Sequence, residues 1–301
     1  MPSSKIRLIE RASGNKFPAA PEGTVLFSSA NVGWSGITVE LHRIPPLELP
    51  EHYVEGHRLL VQMGKPARFE WHDSSRWRQV VLKPGDFCLQ THGELNTPRW
   101  QDNLEFLAIA LDPAFVNQIF QDTKLPDAVG FQQRRGEFDP AIAHFALHFK
   151  AELESSHYSG VLYGESMGLA FALHLLEQHG ERSFKLPRVR SQFSSMQLRQ
   201  IIEYVHEHLS QELSLTALAE QVNLSAYHFA RIFKNSLRLS PHQYVLRNRV
   251  ERAKQLIANS ATTRLTDIGL QVGFYDQAHF AKSFKQVVGC SPKTFSRLVR
   301  N

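Results

Sequence analysis

Two runs carry the side chains of this chain best suited to meeting a nucleic-acid duplex: His228-Phe229-Ala230-Arg231-Ile232-Phe233-Lys234 and His279-Phe280-Ala281-Lys282-Ser283-Phe284-Lys285. An arginine fork can bond both acceptors of a guanine edge, a glutamine can pair with adenine, and lysines meet phosphates. Arg231, Gln277, Lys234 and Lys285 supply those groups, while Ala230 and Ala281 leave room for close approach. With Phe229, Ile232 and Phe233 turned to a core, helical spacing places Tyr227, Ala230, Arg231 and Lys234 on the opposite stripe. The second stripe is Ala278, Ala281, Lys282 and Lys285, with Gln277 at its start. Two such faces with matched charge favour groove contact over the plainer alternative of a solvated basic surface on a helical bundle.

The elements that would hold these stripes also come twice. Leu215-x-x-Leu218-Ala219-x-x-Val222-Asn223-Leu224 returns fifty residues later as Leu265-x-x-Ile268-Gly269-x-x-Val272-Gly273-Phe274, and Ser240-Pro241-x-x-Tyr244 returns as Ser291-Pro292-x-x-Phe295. This is an internal duplication. Each copy reads as a short helix, a tight turn and a second helix. Ser214 is a predicted N-cap, Asn223 or Gly273 tolerates the positive φ of the turn, and Ser225 or Asp276 caps the helix that follows. Between the copies, Ser240-Pro241 opens a helix that Val245, Leu246, Val250, Ala253, Leu256 and Ile257 carry to about Asn259. Its length of roughly 27 Å approaches the 34–36 Å of one duplex turn once the units at its ends are included. One chain could then place two helices in successive major grooves.

From Met196 to Asn301 the chain resembles the DNA-binding domain of AraC/XylS family transcription regulators, with seven helices and two helix-turn-helix units on a connecting helix. The residues that carry the resemblance are Leu218-Ala219, Ser225-x-x-His228-Phe229-x-Arg231-x-Phe233-Lys234 and Arg249-x-x-x-Ala253. With them go Ile268-Gly269-x-x-Val272-Gly273-Phe274-x-Asp276-Gln277-Ala278-His279-Phe280, then Phe284-Lys285 and Gly289-x-Ser291-Pro292. The resemblance implies that Tyr227, Ala230 and Arg231, and Gln277, Ala278 and Lys282, lie at base-reading positions. His228, His279, Lys234 and Lys285 complete the DNA-facing set. It further implies promoter DNA, a small-molecule effector and RNA polymerase as partners, and an activating role.

The charge agrees with this division. From Met196 to Asn301 there are fourteen Lys and Arg against seven Asp and Glu, so this third carries +7 and the rest −2 of the total of +5. Such asymmetry marks a phosphate-binding module joined to one with another task. No run approaches the apolar length of a membrane span, about eighteen residues, and Met-Pro-Ser-Ser-Lys lacks the apolar stretch of a signal peptide, so a cytoplasmic protein is expected. Cys88 and Cys290 suit neither a disulfide framework nor a zinc site; both read as structural.

Residues 1–17 are polar and unremarkable. From Gly23 to Leu111, short runs separated by Pro45-Pro46, Lys65-Pro66 and Lys83-Pro84-Gly85-Asp86 predict strands over 24–28, 36–44, 58–63, 67–71, 77–82, 85–91 and 104–111. The pattern suggests an all-β barrel or sandwich and resembles the cupin-like sensor half of the same family. His42, His52, His57, His72 and His92 raise the question of a metal. His52 and His57 have opposite strand parity, however, and Arg58 follows where a ligand would be needed, so no metal and no cofactor are expected. Trp34, His52, Tyr53, Trp71, Phe87 and Trp100 are the candidate lining of an effector pocket, the alternative for each being plain core. Asp112-Pro113 and Asp139-Pro140 open helices to about Gln121 and Glu154, and a third helix ends near Gly180. A face within 139–180 could serve a homodimer.

The expected architecture is α+β in two domains: a cupin-like β-barrel with appended helices over 1–181, a linker over 182–195 and the all-α domain over 196–301. The expected function is that of an effector-responsive, sequence-specific DNA-binding regulator without enzymatic activity. An effector-independent architectural DNA-binding protein, or a cupin metalloenzyme fused to a DNA-binding domain, are the alternatives.

Overall fold

The computed structural model describes residues 3–73, 76–123, 130–155, 159–181, 191–259 and 263–300. Two compact units emerge, one of Met1–Ser155 with Met167–Leu186, the other of Ser156–Ser166 with Pro187–Asn301. This grouping departs from the expected 1–181 domain at 156–166. Within the expected linker, 182–190 lie outside the described residues.

The first unit holds strands β1 (Arg7–Glu10), β2 (Lys16–Pro18), β3 (Val25–Ser28), β4 (Ile37–Ile44), β5 (Leu47–Glu48), β6 (His52–Val54) and β7 (His57–Gln62). They are followed by β8 (Ala67–Asp73), β9 (Arg76–Leu82), β10 (Asp86–Gln90), β11 (Leu95–Asn96), β12 (Pro98–Trp100), β13 (Leu104–Leu111) and β14 (Arg134–Phe138). Helices α1 (Pro113–Thr123) and α2 (Pro140–Glu154) belong to it too, as does α3 (Val161–His179) from Met167 onward. All seven predicted strands form; β1 and β2 arise in the segment read as unremarkable.

The barrel expectation needs correction, because the described strands make three sheets and no closed barrel. Their orders are β11-β6-β1-β2, β14-β10-β7-β13-β4-β3 and β5-β12-β8-β9. The proline punctuation explains this. Pro45-Pro46, Pro66 and Pro84 each stand where the chain passes between the six-stranded sheet and the β5-β12-β8-β9 sheet, and a residue without an N–H cannot continue a ladder.

Strand periodicity gives the six-stranded sheet two different faces. One face contributes Ile44, Cys88, Leu104, Phe106 and Ala108 to a core shared with Leu8, Val54, Phe69, Leu82 and Trp100 of the other sheets. On the opposite face Leu59, Val61, Phe87, Leu107 and Ile109 are buried, and α2 packs against β3 and β4. Gly168 of α3 lies against β4: a Cβ there would stand 2.9 Å from Ile37 Cγ2.

Asp139 caps α2 as the Asp-Pro pair suggested. Its Oδ1 accepts from the backbone N–H groups of Ala141 and Ile142 at 2.7 and 3.2 Å, while Oδ2 meets His174 Nε2 at 2.8 Å and His179 Nε2 at 3.0 Å. Burial alone would raise its pKa, but the two histidine bonds and the two backbone bonds outweigh it and bring the carboxyl from 3.8 to about 2. A carboxyl depressed on folding stabilises the fold above its unfolded pKa, and that contribution is lost as pH falls through the folded one. Between about pH 4 and pH 2, Asp139→Asn is therefore expected to flatten the fall in stability of the first unit. Chemical melts across this window measure it, and an unchanged acid limb would refute the assignment.

The second unit is helical: α4 (Ser195–Glu207), α5 (Leu215–Glu220), α6 (Ala226–Leu237), α7 (Pro241–Asn259), α8 (Leu265–Gln271), α9 (Gln277–Val288) and α10 (Pro292–Arg300). The N-terminal half of α7 meets the first helix pair through the ring of Tyr244 against Phe233. Its C-terminal half, with Val250, Ala253 and Ile257, shares a core with Ile268, Val272, Phe274, Phe280 and Phe284 of the second pair. No described helix is long and apolar enough to cross a membrane.

Candidate nucleic-acid interface

The two presenting helices start where short polar side chains satisfy the first orphan N–H groups. Ser225 Oγ accepts from the His228 N–H at 3.3 Å, and Asp276 Oδ1 accepts from those of Ala278 and His279 at 2.8 and 2.9 Å. The turns before them bend at Asn223, φ 53°, and Gly273, φ 91°. Ser240 and Gln243 form a reciprocal cap at the start of α7, with bonds of 3.0 and 3.2 Å.

On α9 the stripe stands clear. Gln277, Ala278, Lys282 and Lys285 are exposed and Ala281 is half-buried, while Phe280, Ser283 and Phe284 face inward. His279 is corrected: at 7% exposure, with its ring edge-on to Phe274, it is a core residue and not a groove contact. Its position directly before Phe280 turns it to the buried side.

On α6 the stripe is narrower than expected. Lys234 is exposed, Ala230 and Arg231 are half-buried, and Ile232, expected in the core beside the buried Phe229 and Phe233, is also half-buried. Tyr227 is corrected, being 2% exposed and so no base-reading residue. Its hydroxyl accepts a hydrogen bond from Arg231 Nη1, and the guanidinium lies 5.2 Å from its ring centroid. Tyr227 thus positions Arg231, leaving the rest of the fork for an outside acceptor. His228 is half-buried with Nδ1 3.3 Å from Ser225 Oγ, part of the cap rather than of the stripe.

Sequence reasoning missed the pivot of this unit. Arg249, noted only as part of a resemblance, sends Nε to Leu209 O at 2.9 Å and Nη2 to Gln211 O at 2.8 Å, tying α7 to the segment after α4. Burial lowers its pKa to about 10. The one signal was an arginine among apolar positions of a helix.

In the first unit the aromatic candidates disperse. Phe87 lies on the opposite face of its sheet, edge-on to His179; Tyr53 and Trp71 are half-buried. His52 is fully buried with Nδ1 2.8 Å from Pro50 O, and burial with nearby Arg58 and Arg135 holds it at about 4. Trp100 bonds Pro45 O through Nε1 at 2.8 Å and lines a cavity of only about 30 Å3, far below the roughly 300 Å3 of the smaller ligand sites. Trp34 lines a larger pocket, of about 490 Å3. Phe87 is thus packed beneath its sheet, and Trp71 lies partly buried against the shared core. The other histidines are engaged singly: His42 with Glu40, His57 edge-on to Phe131, His72 edge-on to Trp77 and His92 with Glu55 O. Among the described residues, the three metal-capable side chains that converge are Asp139, His174 and His179, both histidines already bonded to Asp139 Oδ2. Cys88 and Cys290 are free thiols; Cys88 is buried and its pKa is pushed up to about 11.

Residues 218–298 match the family model described as a helix-turn-helix domain. The chain is 34% identical over 100 residues to the probable transcriptional regulator LumQ of Photobacterium leiognathi, covering 33% of this chain and 40% of that one. It is 28% identical over 201 residues to the MmsAB operon regulatory protein of Pseudomonas aeruginosa, covering 63% and 65%. The chain thus spans less than two thirds of either relative. A solved transcriptional regulator with an AraC-type DNA-binding domain, from Chromobacterium violaceum, is 25% identical over 35% of this chain and 92% of that chain, with a TM-score of 0.33.

Proposed function

We propose that this chain, whose residues 218–298 match a helix-turn-helix domain, is an AraC-type regulator that binds promoter DNA sequence-specifically and regulates transcription in response to a small molecule. The observation that carries the reading is the repeated stripe: Arg231 and Lys234 on α6, and Gln277, Lys282 and Lys285 on α9, reach outward from two helices braced on one connecting helix. α7, at 19 residues, is roughly 28 Å long, which suits helices entering successive major grooves. The surplus of +7 over Met196–Asn301 supplies the attraction to phosphate.

An effector alters DNA affinity only if it binds the DNA-competent arrangement differently from the other. Activation through RNA polymerase, and a homodimer through helices within 139–180, belong to the same reading. Leu147, 59% exposed on α2, offers an apolar contact for the dimer.

Selection of bound sequences from a random duplex pool by the full chain, at near-physiological salt, tests the reading. Two short half-sites about 10 base pairs apart are expected; no enrichment over the input pool would sink it. Arg231→Ala is expected to cost about 1–3 kcal/mol at the selected site and to relax choice at one base pair. Lys234→Ala should instead weaken all sequences alike and reduce the salt slope by about one unit. Intact selectivity in Arg231→Ala would show that α6 faces another way.

A further inference from the structure

The first unit contains a pocket of about 490 Å3, lined by Lys5, Arg7, Trp34, Thr38, His57 and Arg58 among others. That volume falls within the range of about 300–1,000 Å3 usual for small-molecule sites. Strand register explains why Arg58 is there. Gln90, Arg58, Ala110 and Thr38 are successive partners across β10, β7, β13 and β4, and partners in a ladder share a face. Arg58 therefore lies on the inward face with Leu60, next to the shared core.

Its surroundings are unusual for a guanidinium. Arg58 is 4% exposed and donates from Nε to Gln90 Oε1 at 2.7 Å. Among the described residues no carboxylate forms an ion pair with it. Glu40, whose charge acts on it, is held by the Ser4 hydroxyl, the Lys5 backbone N–H and His42, at 2.7, 2.7 and 3.0 Å. Burial brings the Arg58 pKa down to about 10, the mark of a charge kept out of water without a full partner.

Two further groups on the wall await a partner. The Nε1–H of Trp34, a residue 7% exposed, and Nδ1 of His57 are buried and find no hydrogen bond among the described residues. The carboxylates on the wall are engaged: Glu55 by Lys16 Nζ at 2.7 Å, and Asp112 by the Ala114 N–H at 2.7 Å. Lys5 and Arg7 are exposed and add positive charge. The wall thus carries three cations, Lys5, Arg7 and Arg58, against two carboxylates, each already holding a donor, and a neutral apolar ligand would leave its buried donors unmet.

We propose that this pocket binds a small organic anion whose oxyanion group, carboxylate or phosphate, is received by Arg58 and by the Trp34 Nε1–H, with Lys5 and Arg7 attracting it. The inference deepens the ligand-responsive reading above by naming the class of ligand. It is tested without DNA, so failure here leaves the DNA-reading surfaces untouched.

The indole N–H signals of the full chain are followed by NMR during titration with benzoate, phenyl phosphate and neutral benzamide, Trp34→Phe identifying the relevant signal. A saturable shift of the Trp34 signal is expected with benzoate or phenyl phosphate, and whichever binds names the oxyanion. Benzamide and the Arg58→Gln variant should each bind at least about tenfold more weakly, since a charge-assisted bond is lost. Should Arg58→Gln fail to fold, the doubly substituted Lys5→Gln, Arg7→Gln chain, altered only at exposed positions, is expected to bind more weakly at low salt and to lose its salt dependence. The proposal is overturned by no saturable shift with either anion or by an equal response to benzamide. Undiminished binding in folded Arg58→Gln, or in the double variant when Arg58→Gln does not fold, overturns it as well.

Discussion

Gly273→Ala is expected to unfold the second helix-turn-helix unit. Gly273 sits at φ 91°, where a side chain is strained, and a Cβ would fall 2.2 Å from Leu209 O and 2.9 Å from Arg249 Nε. Neither neighbour can withdraw freely, because Leu209 O is the acceptor of that same Arg249 Nε–H, at 2.9 Å. The new methyl would break the bond that joins α7 to the segment after α4 and would leave a buried carbonyl without its donor. Backbone strain and overpacking together cost on the order of 3–5 kcal/mol, a large part of the stability of an ordinary domain, about 5–15 kcal/mol. Gly289→Ala is the control. Gly289 has φ 87° but nothing within 4 Å of its added Cβ, so strain alone applies, about 1 kcal/mol. Thermal melts of the two variants separate close approach from strain; equal losses would show that the contact with Leu209 is relieved cheaply.

Ala278→Glu should have the opposite profile, abolishing DNA binding while leaving the fold intact. Ala278 is exposed in the first turn of α9, directly after the Asp276 cap and Gln277. A carboxylate there is favourable to the helix, whose N-terminus carries partial positive charge. In a major groove the same carboxylate would face base edges between two rows of phosphates, and like-charge contact costs several kcal/mol. An affinity loss of about a hundredfold or more is expected for every sequence, with the melting temperature unchanged or slightly raised. Anisotropy titrations on the selected duplex and a non-specific duplex measure this. Binding within about threefold of the parent chain would show that α9 does not enter the groove by this face.

Much of this molecule was legible because its signals are short-range. Ser214, Ser225 and Asp276 cap the helices they were expected to cap, since capping depends on residues two or three positions apart. The duplication predicted both helix pairs, and short runs set off by proline-containing turns predicted seven strands. The strands missed, such as β5, β6, β11 and β12, have two or three residues each, too few to stand out as runs. The corrections on the recognition helices share another cause. A helical wheel assigns Tyr227 to the outer stripe and the resemblance adds His279, but how far the core wraps round the helix is set by the elements packed on it.

The sequence by itself determined the succession of a strand-rich half and a helical half, the double helix-turn-helix unit and the concentration of positive charge near it, because each rests on spacing or composition. Only the tertiary structure decided that Tyr227 braces Arg231, that Arg249 closes on Leu209 beside Gly273, and that three sheets stand in place of a barrel. It alone decided, too, that Arg58 and Trp34 line one pocket, twenty-four positions apart in sequence. Burial and the isolation of a charge are sums over neighbours that the chain brings together from a distance, and no local pattern encodes them.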